Sequence, residues 1–243
     1  MLILGLESAT AQVGCAVGGH EGVLASAHSS RHRRHAESLV PSIEFVCRQA
    51  RVALTEISVI AVDIGPGLFT GLRVGVATAK ALAHALRVPV IPTSSLDLLA
   101  FPARFTDRVI AAVVDARRGE LFSALYRPVP GGVARITEPR VSTPDDLRAE
   151  LHALGVAVLV VGDGALRYAE TFRELLEVEV CTHGLDHPSA RDLVLLAHHR
   201  ALREEWVQSW EVTPTYLRKP DAEIGWATRA GLTAPPTPTA ESA

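Results

Sequence analysis

The sequence predicts an α/β protein made of two successive copies of one βββαβα unit. Three observations carry this. Two short runs, residues 2–6 and 109–115, are apolar almost throughout and read as strands. Each leads into further apolar runs separated by glycine-marked turns, Gly18-Gly19 and Gly22 in one case, Gly119 and Gly131-Gly132 in the other. Each set then gives way to helical periodicity alternating with short apolar strands.

In the first half, residues 2–6, 12–17 and 23–28 form three strands joined by tight turns. A helix over 36–51, a strand over 59–64, a helix over 70–86 and a strand over 89–91 follow. In the second half, strand 109–115 turns at Arg117-Arg118-Gly119 into strand 121–126, and Gly131-Gly132 turns into a third strand over 133–137. Thr143 caps a helix running to 154, with Pro144 at its first position and Asp145-Asp146 in its first turn. Strand 156–161, helix 165–176 and strand 178–181 come next, and Ser189 caps a last helix to 205, with Asp192 at the capping-box spacing. Three antiparallel strands followed by crossover helices make the ribonuclease-H-like unit, and a tandem pair is the actin, sugar-kinase and Hsp70-like ATPase architecture. The expected divisions are 1–104, 105–220 with the residues after Trp206 packing back, and a mobile tail over 221–243 whose Ala-Pro-Pro-Thr-Pro-Thr run starts at Ala234.

Composition narrows the function. A chain of 243 residues buries roughly 70% of the surface its unfolded form exposes, so its core needs no disulfide or structural metal. With 24 basic and 27 acidic residues the net charge is −3, which lacks the positive balance of a stand-alone nucleic-acid binder. Cys15, Cys47 and Cys181 form no CxxC pair, so neither a zinc ribbon nor a disulfide framework is readable, and a reducing cytosol is the expected setting. The opening MLILGLESA lacks a basic n-region, and no run approaches the ~18 apolar residues of a membrane span; a cytoplasmic protein without membrane contact is expected.

In a tandem architecture of this kind a nucleotide lies between the halves, and an acid at the end of each first strand holds metal or activates water. Glu7 and Asp115 occupy those places, which makes them candidate cofactor-binding residues; equally, they cap turns, with Asp115 paired to Arg117 or Arg118. The first hairpin, Ser8-Ala9-Thr10-Ala11-Gln12, has no glycine for close approach to a phosphate. The segment Asp63-Ile-Gly-Pro-Gly-Leu-Phe-Thr-Gly-Leu-Arg73-Val-Gly75 joins a strand to a helix. Thr70 is a candidate cap, and free N–H groups there suit an anion, although no GK[ST] follows; a plain strand-to-helix turn is the alternative. His183 and His187 have metal-like spacing, but Gly184 and Pro188 break any helix that would align them. His28, Arg31, His32, Arg33, Arg34 and His35 form a basic run, either a solvated loop or a tRNA-facing patch. No HExxH exists, so a zincin-type protease is unsupported.

The helices carry a different signal. On the first, Ala36, Leu39, Val40, Ile43, Val46, Cys47 and Ala50 share a core arc, while Phe45 lies nearly opposite. On the second, Leu72, Gly75, Val76, Ala79, Leu82, Ala83 and Leu86 form the core face. Its outer side carries Val74, Ala77, Thr78, Ala81 and Ala85 where charges are expected, and Gly75 suggests close helix–helix approach. Phe45, Val74, Ala77, Thr78, Ala81 and Ala85 are thus candidate interface residues, unless another part of the chain covers them.

The stretch DIGPGLFTGLRVGVATAKALA resembles the signature of the TsaB (YeaZ) family of the tRNA threonylcarbamoyladenosine system. LILGLESATAQVGCAV, RHAESLVPSIEFV, VIPTSSLDLLA, VVDARRGELFSALY and PTYLRKP extend the resemblance over about residues 1–220 in the expected order. Leu68 departs from the family's usual serine, and Glu7 from its usual aspartate. The resemblance implies a non-catalytic subunit that holds its paralogue TsaD through the two helices, self-associates through the same pair, and is joined by the ATPase TsaE. It implies that TsaD transfers threonylcarbamoyl to the adenosine beside the anticodon of tRNAs reading ANN codons, and that tRNA meets this chain only through the complex. Where TsaD carries two metal-binding histidines, the matching segment here has Ser95 and Leu99, so no intrinsic cofactor is expected, with ATP or ADP at most at an interface with partner subunits. The competing readings are an autonomous ATP-dependent phosphotransferase or hydrolase of this fold, and a metalloprotease.

Overall fold

The computed structural model describes residues 1–30 and 35–218. The expected tail over 221–243, and Arg31, His32, Arg33 and Arg34 of the basic run, lie outside the described residues.

The first half builds a five-stranded sheet from β1 (Leu2–Glu7), β2 (Val13–Gly19), β3 (Gly22–Ser29), β4 (Val59–Gly65) and β5 (Val90–Ser94), ordered β3-β2-β1-β4-β5. β1 to β3 run antiparallel, and β1, β4 and β5 run parallel. Hairpins can join the antiparallel strands, but the parallel ones need crossovers. These are α1 (His35–Ala50), leading into β4, and α2 (Phe69–Leu86), between β4 and β5.

The second half repeats the arrangement with β6 (Val109–Arg117), β7 (Glu120–Val129), β8 (Gly132–Arg135), β10 (Val158–Val161) and β11 (Val178–Val180), ordered β11-β10-β6-β7-β8. The long β7 pairs with β8 from Tyr126 to Val129, and with an additional strand, β9 (Arg140–Ser142), from Leu121 to Ser123. The strand expected over 133–137 is β8, ending at Arg135, and β9, beyond Pro139, is a strand the sequence reading did not assign.

Local caps set some helix starts. Thr143 Oγ1 accepts from the Asp146 N–H (3.1 Å) at the head of α4 (Pro144–Leu154), and Ser189 Oγ accepts from the Asp192 N–H (3.0 Å) at the head of α7 (Ala190–Ala201). Three expectations are corrected. The helix over 165–176 is two short pieces, α5 (Asp163–Arg167) and α6 (Ala169–Arg173), broken at Tyr168. The last helix stops at Ala201 because Glu204 turns left-handed (φ 58°) and sends the Glu205 N–H back to Arg200 O. Residues 95–100, assigned no element from sequence, form α3 (Ser95–Ala100).

Three apolar layers make up the core. Leu4, Leu6, Cys15 and Val17 of the first sheet pack against Leu39, Ile43 and Val46 of α1 and Val76, Ala79 and Ala83 of α2. The opposite face, through Ile3, Ala16, Val59 and Ile91, packs against Leu193, Val194 and Ala197 of α7. Helix α7 follows the second half in sequence yet covers the first sheet, so β1 is buried on both sides and reads as a continuous apolar run. Leu98 of α3 joins that layer, while Leu96, Leu99 and Ala100 join the core of the second half. Burying a side chain of this size contributes roughly 1.5–3 kcal/mol. After Trp206 the chain does pack back: Val207 and Val90 exchange backbone hydrogen bonds (2.8 and 2.9 Å), and Val212 is buried in the first core. Among the described residues, no helix is long and apolar enough to cross a membrane.

Candidate functional site

Carboxylates from both halves converge where the sheets meet. β1 and β4 pair in parallel up to Leu6 and Val62, so Glu7, the last residue of β1, and Asp63, near the end of β4, come side by side. Both are fully buried. Glu7 Oε1 accepts from the Ala9 N–H (2.8 Å), and Asp63 Oδ1 accepts from the Gly65 N–H (2.8 Å) and the Ser95 hydroxyl (2.7 Å). Their second oxygens, Glu7 Oε2 and Asp63 Oδ2, are buried with no partner. Burial, then the Asp63 charge, pushes Glu7 well above its usual value. Burial also pushes Asp63 up to about 7, against the hydrogen bonds from Gly65 and Ser95. A pair in this state carries fewer than two negative charges near neutral pH.

Across from it, Asp115 Oδ1 accepts from the Arg117 N–H (2.9 Å), and its Oδ2 meets the guanidinium groups of Arg117 (3.0 Å) and Arg167 (3.1 Å). Asp163, at the start of α5, accepts from the Asp115 N–H (2.9 Å), and burial raises its carboxyl. Asp115 thus caps its own turn, with Arg117 and Arg167 as partners. Spacing in the sequence carries no signal for Arg167 or Asp163, because both come from a helix some 50 residues further along the chain.

The first hairpin is used for packing. The Leu68 N–H donates to Ala9 O (2.6 Å), and a Cβ on Gly67 would stand 2.2 Å from that same oxygen. Ser8 Oγ donates to Gly71 O (2.8 Å), and a Cβ on Gly75 would stand 2.3 Å from Ser8 Oγ. Three readings change. Gly75 makes room for the Ser8 loop, not for another helix. In the strand-to-helix segment, read from sequence either as suited to an anion or as a plain turn, the Gly65 and Leu68 N–H groups are taken by Asp63 and Ala9. Thr70 does not cap α2: the N-cap is Leu68, without a side-chain bond, because the chain is pinned there by Ala9 and the Leu72 N–H already returns to Leu68 O.

The histidine pair does not converge. His183 is exposed and bonded to Asp186 (3.1 Å), while His187 is half-buried near Asp163. Among the described residues, no group of three or more histidine, cysteine, aspartate or glutamate side chains could hold a metal ion. Ser95 is spent on Asp63, and Leu99 is buried in the second core. All three cysteines are buried, and burial pushes the Cys15 thiol up to about 12, so none is poised as a nucleophile.

The outer face of α1 and α2 is uncovered among the described residues. Phe45 is 43% exposed, with the Arg48 guanidinium 5.8 Å from its ring centre. Ala77, Ala81 and Ala85 are exposed; Val74 and Thr78 are half-buried, with Val74 leaning on the first core and the Thr78 hydroxyl bonded to Val74 O. Val40, assigned from sequence to the core arc of α1, is 52% exposed. It lies at the edge of that arc, away from Phe45.

Two sheets of one strand order, with an acid at or near the end of each first strand, define a protein of the actin, sugar-kinase and Hsp70-like ATPase fold. The sequence model of the TsaD family, described as tRNA N6-adenosine threonylcarbamoyltransferase, matches residues 22–226. The chain belongs to this family, in its TsaB (YeaZ) branch. It is 27% identical over 228 residues to the tRNA threonylcarbamoyladenosine biosynthesis protein TsaB of Bacillus subtilis, covering 93% of this chain and 98% of that protein. It is 27% identical over 234 residues to TsaB of Escherichia coli, covering 93% and 97%. The solved structure of YeaZ from Pseudomonas aeruginosa superposes with a TM-score of 0.77 at 27% identity, covering 89% of this chain and 99% of that one.

Proposed function

We propose that this chain serves tRNA threonylcarbamoyladenosine biosynthesis as a non-catalytic partner subunit, which docks TsaD through the outer face of α1 and α2 and works in a complex that includes TsaE. The observation that carries the reading is that face. Phe45, Ala77, Ala81 and Ala85 leave apolar and small side chains in water on two adjacent helices that contribute to one core. Small residues let helix axes approach toward the low end of the usual ~8–10 Å. The cleft supports the same reading from the other side. A phosphoryl-transfer site needs backbone donors and carboxylates facing a nucleotide and its metal. Here Glu7 and Asp63 are sealed from solvent, Asp115 is committed to two arginines, and the first hairpin is packed on Gly67 and Gly75. In this reading the complex, with its TsaD subunit, supplies the chemistry and the tRNA contact.

The test is reconstitution of tRNA modification from TsaD, TsaE and the adenylate-forming enzyme, with and without this chain. Modification is expected only when the chain is present, while the chain alone shows background ATP turnover and binds tRNA weakly with steep salt sensitivity. Modification at full rate without it, or ATP turnover by the isolated chain, would overturn the proposal.

A further inference from the structure

Helix α2 carries a row of cations beside its small-residue face. At 3.6 residues per turn, Arg73, Lys80, His84 and the C-cap residue Arg87 fall about 60–120° around the axis from Ala81, and at 1.5 Å per residue they span about 21 Å. α2 holds no acidic residue, and among the described residues Arg73, Lys80 and Arg87 make no ion pair. Two of them are held in place. The Arg73 guanidinium lies 3.8 Å from the Phe69 ring centre and its Nε donates to the Tyr216 hydroxyl (3.3 Å), while Lys80 Nζ donates to Val212 O (3.1 Å). Glu211, the acid of the returning segment beside the row, accepts from the Gln208 N–H (2.7 Å). On the α1 side the exposed charges Glu37, Glu44, Arg48 and Arg51 cancel. The row therefore keeps a positive excess in a chain whose net charge is −3.

The returning segment sets an exposed ring at each end of this row. Trp210 is 70% exposed, and a cavity of about 490 Å³ opens between it and the end of α2 at His84 and Arg87. Tyr216, 42% exposed, stands at the Arg73 end, with its ring centre 5.2 Å from that of Phe69. Cations in a row with flat rings beside them suit a nucleic-acid strand, whose backbone carries negative charge at every nucleotide and whose bases stack on aromatic side chains. A protein partner is served less well. The row flanks the Ala77, Ala81 and Ala85 face, so in a helix–helix joint it would form the rim, where charge pairs contribute little.

We propose that this flank of α2 holds the phosphate backbone of the tRNA, with Arg73, Lys80 and Arg87 as the phosphate contacts and Trp210 as a ring on which an unpaired base stacks. This rests on the proposed docking: with TsaD on the small-residue face, the flank stays open beside the joint and extends the tRNA surface of the complex. The isolated chain, negative overall, holds tRNA only weakly by it.

The test measures binding of labelled tRNA to the assembled complex of this chain with TsaD, by fluorescence anisotropy across a range of salt. The parent is compared with the double variant Arg73→Gln, Arg87→Asn and with Trp210→Ala; asparagine suits the left-handed backbone at Arg87 (φ 57°). Losing two phosphate contacts should weaken binding about ten-fold at about 0.15 M salt and flatten the log–log salt slope by about 1.4–1.8, at roughly 0.7–0.9 per contact. Trp210→Ala should weaken binding several-fold and leave the slope unchanged, since stacking releases no counterion. All three positions are exposed, so sedimentation with TsaD and far-ultraviolet circular dichroism should match the parent. Should the double variant fail to fold, Trp210→Ala decides the matter. Assembled complexes with the parent's tRNA affinity and slope overturn this proposal alone. So does loss of TsaD from the double variant, which makes the row a contact to an acidic protein face. A parent chain that never joins TsaD overturns the docking proposal and this one with it.

Discussion

Glu7 and Asp63 sit side by side at the C-terminal ends of the adjacent parallel strands β1 and β4 as a fully buried pair of carboxylates, each with one oxygen bonded to the backbone N–H two residues on and the other without a partner. Burial holds both above their unfolded values, so the folded state binds protons that the unfolded state has released. A carboxyl raised in this way leaves stability intact below its unfolded value, near 3.8 for Asp63, and lowers it progressively as pH climbs toward about 7. Asp63→Asn keeps an acceptor for Gly65 and Ser95 and removes the titration. Its melting temperature should match wild type near pH 4 and exceed it at pH 8, by about 2–4 °C for each kcal/mol recovered. Melts from pH 4 to 8 check this; equal pH slopes in the two proteins would refute it.

Asp115 differs from that pair in having every oxygen engaged. Asp115→Ala removes the acceptor of the Arg117 N–H and the partner of two guanidinium groups. Both arginines are about half exposed and can turn to water, so most of the cost comes from the turn. A loss of about 1–3 kcal/mol in urea unfolding is expected. Asp115→Asn, which retains the turn acceptor, should lose less than half of that. Similar losses for the two variants would mean that charge pairing outweighs the turn.

The Ser8–Gly75 contact gives a sharper case. Gly75→Ala gains about 1 kcal/mol of helix propensity but sets a methyl 2.3 Å from Ser8 Oγ. The clash should win, because Ser8 is buried and its hydroxyl is fixed on Gly71 O. Ser8→Ala removes the offending oxygen and leaves its Cβ 3.6 Å away. The double variant should therefore be more stable than Gly75→Ala alone, with a coupling of about 1–3 kcal/mol in a double-mutant cycle. Additive losses would show that Gly75 is needed for some other reason.

Much of this was legible in the sequence because its signals are local. Thr143 and Ser189 announce their helices by cap and capping-box spacing, and glycine pairs mark the hairpins of both halves. Glu7 and Asp115 could be picked out as strand-end acids for the same reason. The pairing of Glu7 with Asp63 depends on β4 lying beside β1, and the hold of Arg167 on Asp115 depends on α5 crossing to β6, so periodicity carries neither. Gly75 was conspicuous as a helix-interior glycine, but what it accommodates comes from a loop 67 positions earlier, as Ser8 and Gly75 are numbered. Val40 misleads because it lies at the edge of the core arc, where a helical wheel gives direction but not burial.

The outer face of α1 and α2 yields the last prediction. Ala81 is exposed in the middle of that face, four residues from Ala77 and four from Ala85, and its methyl has no part in the core. An arginine there extends into water and keeps good helix propensity, so Ala81→Arg should melt within about 1–2 °C of wild type, as surface substitutions do. At a helix–helix interface the same side chain would bury an unpaired charge and hold the axes apart. Under the docking proposal, Ala81→Arg abolishes both the complex with TsaD and any self-association through this face, while Arg48→Ala beside Phe45 has a smaller effect. Sedimentation of the variant alone and mixed with TsaD distinguishes the outcomes. Assembly indistinguishable from wild type would remove this face as the docking surface. A large loss of melting temperature in the isolated chain would mean that the chain itself covers Ala81, and the apolar stripe would then belong to its own packing.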